Sequence, residues 1–231
     1  MRPAAVFVLA ILTTPAAAQA PAHALRIDSL SGLKLENVTA DVVTYRGKRA
    51  LHLVQAAAPA SAATPGAGST EKSMAIVLAS DFKDGVIEAD VASVPRAGAT
   101  ETARGFVGIA FRILPDASKF ECIYLRPTNG RADDQLRRNH ATQYVSSPDF
   151  PWQKLRQETP GVYESYVDLV PGEWTHMKLE ITGTKARLYV NGAAQPVLIV
   201  NDLKLGADAR GRIALWAGSE TEAWFSNVTV K

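Results

Sequence analysis

Short apolar runs of period two recur along the chain, separated by Gly, Pro, Asn or Asp, and the 3.6-residue spacing of a packed helix is almost nowhere sustained. The clear runs are Val42–Tyr45, Ala50–Val54, Met74–Ala79, Val86–Val94, Phe106–Ile113, Phe120–Leu125, Val162–Leu169, Trp174–Ile181, Ala186–Val190, Val197–Val200, Ile213–Trp216 and Trp224–Val230. So many short strands at this spacing predict an all-β chain folded as a two-sheet antiparallel jelly-roll sandwich. The last third is the most legible. Met177, Leu179 and Ile181 alternate with Lys178 and Glu180, Gly183-Thr184 makes a turn, and Ala186–Val190 returns beside the first strand. The phase break between Trp174 and Met177 predicts a bulge at that strand's start. Asn191-Gly192 is a type I′ hairpin signal, because both central positions of that turn need positive φ. The next strand then begins near Pro196.

Two stretches break the pattern. Residues 56–70 are small and Pro-containing, which reads as a flexible solvated loop. From Pro127 to Pro160 the chain instead concentrates arginines, amides, aromatics and acids.

Residues 1–20 read as a secretory signal peptide: Arg2, an apolar run from Ala4 to Leu12, then small residues through Ala20. The apolar run is too short to span a bilayer, which needs roughly 20 residues, so no membrane span is expected. The expectation is one folded domain over 21–231, secreted or periplasmic. Loss of Arg2 takes Lys+Arg from 25 to 24 against 23 Asp+Glu, a net charge of +1. So even a balance supplies no long-range attraction for nucleic acid. Cys122 is the only cysteine, so no internal disulfide forms and stability rests on the core.

The closing segments GEWTHMKLEITGTKARLYVNG and GRIALWAGSETEAWFSNVTVK carry a resemblance. Gly172-Glu173-Trp174, Asn191-Gly192, Gly211, Leu215, Phe225 and Asn227 sit where the concanavalin A-like lectin/glucanase superfamily places its strand-opening Gly-x-Trp, its Asn-Gly hairpin and its final strand pair. In this respect the chain resembles laminin G-like and 3-keto-disaccharide hydrolase-type domains. The resemblance implies one concave sheet, across which carbohydrate-acting members hold their ligand. Fold alone does not imply function.

Sugar recognition needs planar hydrogen-bonding groups for hydroxyl pairs and aromatic faces for the apolar side of a pyranose. Strict alternation over Phe106–Ile113 and Phe120–Arg126 puts Gly108 and Ala110 beside Arg112, Tyr124 and Arg126, a groove floor, or else an ordinary solvated face. In the run RPTNGRADDQLRRNH, with a turn expected at Asn129-Gly130, two readings are open. The acids and arginines fix a loop, or Arg137, Asn139 and His140 form a polar clamp facing ligand. His140 has the chemistry for proton transfer. Trp152, with Arg156 nearby, either stacks on a sugar or caps the sandwich. One face of Val162–Leu169 is expected to see the groove. The binding set is therefore Arg112, Tyr124, Arg126, Asn129, Arg137, Asn139, His140 and Trp152.

Enzyme readings are narrower. Glu88-Ala89-Asp90 lacks the second glutamate of the E-x-D-x-E and E-x-D-x-x-E patterns that the resemblance brings to mind. Glu164 and Asp168 would lie about 13 Å apart along a strand, too far to cooperate in glycoside cleavage. There is no G-x-S-x-G elbow and no metal-ligand spacing among His23, His52, His140 and His176. No catalytic residue is assigned and no cofactor is expected, although a structural calcium held by carbonyls and Asp133 or Asp134 stays open. The expected function is carbohydrate binding or processing, with glycoside hydrolase-like activity if the protein is an enzyme. The alternative is a laminin G-like module that engages a protein partner without catalysis.

Overall fold

In the computed structural model, residues 23–25, 27–56 and 72–231 are described. The expected signal peptide and most of the expected small-residue loop lie outside them. The strands are β1 (His23–Ala24), β2 (Leu33–Glu36), β3 (Val38–Tyr45), β4 (Lys48–Gln55), β5 (Met74–Phe82), β6 (Gly85–Pro95), β7 (Val107–Ile113) and β8 (Phe120–Leu125). Helices α1 (Pro127–Gly130) and α2 (Gln135–Asn139) precede β9 (Thr142–Ser147), and α3 (Trp152–Glu158) precedes β10 (Glu164–Ser165). The chain closes with β11 (Thr175–Thr182), β12 (Lys185–Val190), β13 (Leu198–Val200), β14 (Gly211–Ala217) and β15 (Thr221–Val230). Among the described residues no helix is long and apolar enough to cross a membrane.

Two antiparallel sheets result. One runs β13-β12-β11-β6-β15-β4-β3, with β1 added on β15, and the other runs β10-β9-β8-β7-β14-β5-β2. Met177, Leu179 and Ile181 of β11 are buried beside Ala89, Ile87 and Gly85 of β6, while His176, Lys178 and Glu180 point the other way. In the second sheet Ile109, Ile123, Leu215 and Tyr144 align across four strands on one face. That face meets the first sheet's connections: Tyr144 Oη accepts from Lys204 N at 2.8 Å and Glu121 Oε1 accepts from Leu205 N at 3.1 Å, both on the segment leaving β13. The opposite face carries Gly108, Ala110, Cys122, Tyr124 and Gln143. Gly108 is required where it stands, since a Cβ there would meet Ile123 O at 2.4 Å and Tyr124 Cβ at 2.5 Å.

The hairpin expectations hold. Thr182 pairs with Lys185 across Gly183-Thr184, and Asn191 and Gly192 both have positive φ, at 51° and 73°. Other expectations change. β11 starts at Thr175 with unbroken register to β6, so no bulge follows Trp174. Trp174 belongs to the outer face, where its ring meets Tyr45 edge-on at 5.7 Å. Tyr45 stacks on Trp224 at 4.0 Å, and His52 stacks on Trp224 at 4.9 Å. Tyr45, Trp174 and Trp224 belong to a small apolar cluster outside the main core. The expected strand Val162–Leu169 is reduced to the two paired residues of β10. Asn129-Gly130 closes a helical turn, and β9 emerges from the stretch that looked irregular.

Candidate functional site

The expected groove floor is only partly realised, because strict alternation fails at Arg112. Ile113 pairs with Arg212 and Ala110 with Ala214, so β7 carries one extra residue there, and Arg112 takes φ +52°. The bulge turns the side chain away from Gly108 and Ala110 toward the end of the sandwich, where it is wholly buried. There it donates to Lys83 O at 2.9 Å, Gly206 O at 3.1 Å and Gly183 O at 2.7 Å, and pairs with Asp84 and Glu121. Arg112 is therefore a structural junction and not part of a groove with Tyr124 and Arg126.

The remaining polar residues converge on a different centre, Glu164. Arg126, one residue past β8, sends Nη1 to Glu164 Oε1 at 3.0 Å, and Nη2 to Gln143 Oε1 at 3.0 Å and to Tyr124 Oη at 3.2 Å. Arg156, in the last turn of α3, donates Nε to Glu164 Oε2 at 2.9 Å and also bonds Oε1 through Nη2. His140, at the C-cap of α2, places Nε2 at 3.5 Å from Glu164 Oε2. Burial alone would raise the Glu164 pKa, but the Arg156 hydrogen bonds and the charges of Arg126, Arg156 and His140 outweigh it and hold the carboxyl below its ordinary range. Glu164 is thus a fixed anion and no proton donor at neutral pH. Desolvation lowers the His140 pKa; the Glu164 charge pulls it up, and Arg156 and Arg126 push it down again. The net direction is down, so the ring is neutral at physiological pH.

The loop that carries His140 is held by its backbone. Arg126 Nη1 and Asn129 Nδ2 both donate to His140 O, at 3.0 and 2.9 Å. Arg137 Nε donates to Asn129 Oδ1 at 2.9 Å and its Nη2 reaches Thr128 Oγ1 at 3.1 Å, while Asp134 caps α2 by accepting from Arg137 N. Of the two readings open for this run, Asn129 and Arg137 follow the first and anchor the loop. His140 and Asn139 line a cleft of about 610 Å³ with Arg156, Glu164, Ser165, Tyr166, Leu136, Pro160 and Gly161. Tyr124 is buried behind Arg126, against Trp216 and Phe106. Trp152 opens α3 and its ring lies 4.5 Å from the Arg156 guanidinium carbon. The structure thus brings Tyr124, Arg126, Asn129, Arg137, Asn139, His140 and Trp152 into one region and leaves Arg112 elsewhere.

Glu164 is the residue that sequence reasoning missed. Its signal was the expectation that one face of Val162–Leu169 would see the groove, and the separation from Asp168 drew attention away from it. Asp168 instead receives Arg131 Nε and Nη2 at 2.7 and 2.8 Å. A second histidine–carboxylate pair lies on the outer face of the other sheet, where Asp90 receives His176 Nδ1 at 2.8 Å, with Lys48 Nζ and Asn227 Nδ2 each at 2.7 Å. Among the described residues no three or more His, Cys, Asp or Glu side chains gather as metal ligands.

Two antiparallel sheets in this order, with a polar cleft beside one of them, define a concanavalin A-like, lectin/glucanase-type domain. The carbohydrate binding module CBM66 from Bacillus subtilis is similar at 15% identity and a TM-score of 0.50, over 85% of this chain and 97% of that one. A Bacillus subtilis protein with a galectin-like fold is similar at 13% identity and a TM-score of 0.55, over 87% and 89%. The chain belongs to the family of 3-keto-alpha-glucoside-1,2-lyase-like domains, which matches residues 48–231. A comparison with curated proteins finds no match.

Proposed function

We propose that the protein cleaves 3-keto-glucosides by elimination across C1 and C2, with His140 as the base. The observation that carries this reading is an imidazole 3.5 Å from a buried carboxylate, in a cleft that also holds a guanidinium. Hydrolysis by the usual route needs two cooperating carboxyl groups, and among the described residues Glu164 is the one carboxylate that lines the cleft. Elimination needs a single base, because a ketone at C3 acidifies the C2 proton. His140 takes that proton, the electron pair enters the C1–C2 bond, the C1–O bond breaks, and the departing oxygen acquires a proton. The products are the unsaturated keto sugar and the free aglycone alcohol, with no oxidant or reductant consumed. Arg156, whose side chain is 33% exposed, supplies positive charge for the developing enolate oxygen. Glu164 positions both groups. The family match supports the substrate class. The apolar run Ala4–Leu12 and the small residues through Ala20 support export.

The test is incubation with a 3-keto-α-glucoside in heavy water, following the conjugated product by absorbance and exchange of the C2 proton in the remaining substrate by NMR. The wild type should form product, with a rate that falls as acid protonates His140 below its ordinary pKa of 6.5. His140→Ala should lose about 10²–10⁴-fold while staying folded, because Arg126 and Asn129 grip the backbone carbonyl and not the ring. Undiminished turnover in His140→Ala, or intact substrate with the wild type, overturns the reading.

A further inference from the structure

We infer that the mouth of the cleft selects glucosides whose departing group is an aromatic or otherwise apolar ring, in preference to a second sugar. This rests on the reading of the charged end as the place where the glucose ring sits.

Exposure orders the cleft from inside to outside. The Glu164 side chain is 2% exposed, His140 18% and Arg156 33%, whereas the residues Tyr166 and Leu136 are 42% and 68% exposed. The deep end is therefore charged, and the outer end is apolar. Leu136 has no packing role to account for it: α2 contains no buried residue and is held by the Asp134 cap and the Arg137 anchors. Tyr166 is not a loose side chain either, since Arg138 sits 4.9 Å from its ring centre and donates to its hydroxyl at 2.9 Å. Two acceptors at this end are already engaged: Tyr166 Oη by Arg138, and Asn139 Oδ1 by Gln135 at 2.8 Å. A hexose placed here would press hydroxyls against a leucine and a ring with few partners offered in return, which is unfavourable. A flat apolar group would cover Leu136 and pack on Tyr166, which is favourable.

The experiment uses ligands that lack the 3-keto group and are not turned over. Phenyl α-glucoside and maltose are each titrated into the full protein by calorimetry. Phenyl α-glucoside should bind about tenfold tighter, the difference expected from covering a leucine and part of a tyrosine ring. Leu136→Ser and Tyr166→Ser should bring it down to the maltose level, and Leu78→Ser, an exposed apolar position on β5, should change neither ligand. Equal or tighter binding of maltose, no measurable binding of phenyl α-glucoside, or a preference that survives both cleft substitutions overturns the inference. A phenyl preference without elimination of 3-keto substrates would instead sink the lyase reading and leave this one standing.

Discussion

Replacing Glu164 by Gln tests the electrostatic centre of the site directly. The substitution keeps the shape and removes the charge. Arg126, whose side chain is 5% exposed, then loses its one anionic partner among the described residues, and the new amide presents N–H groups toward the Arg156 donors. Stranding one member of a buried pair costs about 3–5 kcal/mol. Arg156 is a third exposed, so its lost pairing adds little after solvent screening. A loss near 3 kcal/mol follows, and at roughly 2–4 °C per kcal/mol for a chain of this size Tm should drop about 6–12 °C at pH 7. The pH dependence has a definite sign. The folded Glu164 pKa lies below its ordinary value of 4.5, so its contribution is fully present above that value and is lost as pH falls through the folded one. The gap between wild type and Glu164→Gln should therefore close in acid. The assay is thermal unfolding followed by circular dichroism from pH 7 down to pH 3, joined to a double-mutant cycle with Arg126→Met, which should show about 1–3 kcal/mol of coupling. A loss below about 1 kcal/mol at pH 7, or independent behaviour of the two substitutions, would refute the picture of a buried anion held between guanidiniums.

Two further outcomes follow from burial elsewhere. Arg112→Met removes the donors that three carbonyls and two carboxylates share at one end of the sandwich, so urea denaturation should show about 3–5 kcal/mol of lost stability; a midpoint within error of wild type would return Arg112 to the list of ligand-facing residues. Cys122 is wholly buried and burial pushes its thiol well up, so an aromatic disulfide reagent should leave the native protein unmodified and react with one thiol after unfolding. Rapid labelling of the native state would contradict that placement.

Local rules carried much of the fold. β8 spans Phe120–Leu125 as the alternation predicts, and Asn191-Gly192 turns because no other short pair accepts positive φ so readily. β9 escaped notice for a physical reason. Four of its six residues are Thr142, Gln143, Ser146 and Ser147, and all six are buried, so it reads as loop until tertiary partners satisfy those polar groups. The candidate site divides in the same way. Arginines, amides and His140 crowded into one run marked the region, since such a run stands out against the apolar alternation of the strands on either side.

Which of them face a ligand was decided elsewhere. The sequence by itself determined the sandwich, its closing hairpins and the segment where chemistry gathers, because these depend on side-chain period and turn conformation within a few residues. Only the tertiary structure decided that a one-residue bulge sends Arg112 to the opposite task, and that Glu164 lies between Arg126 and Arg156, 38 and 8 residues away along the chain. Charge pairing acts through space, and no local period encodes it.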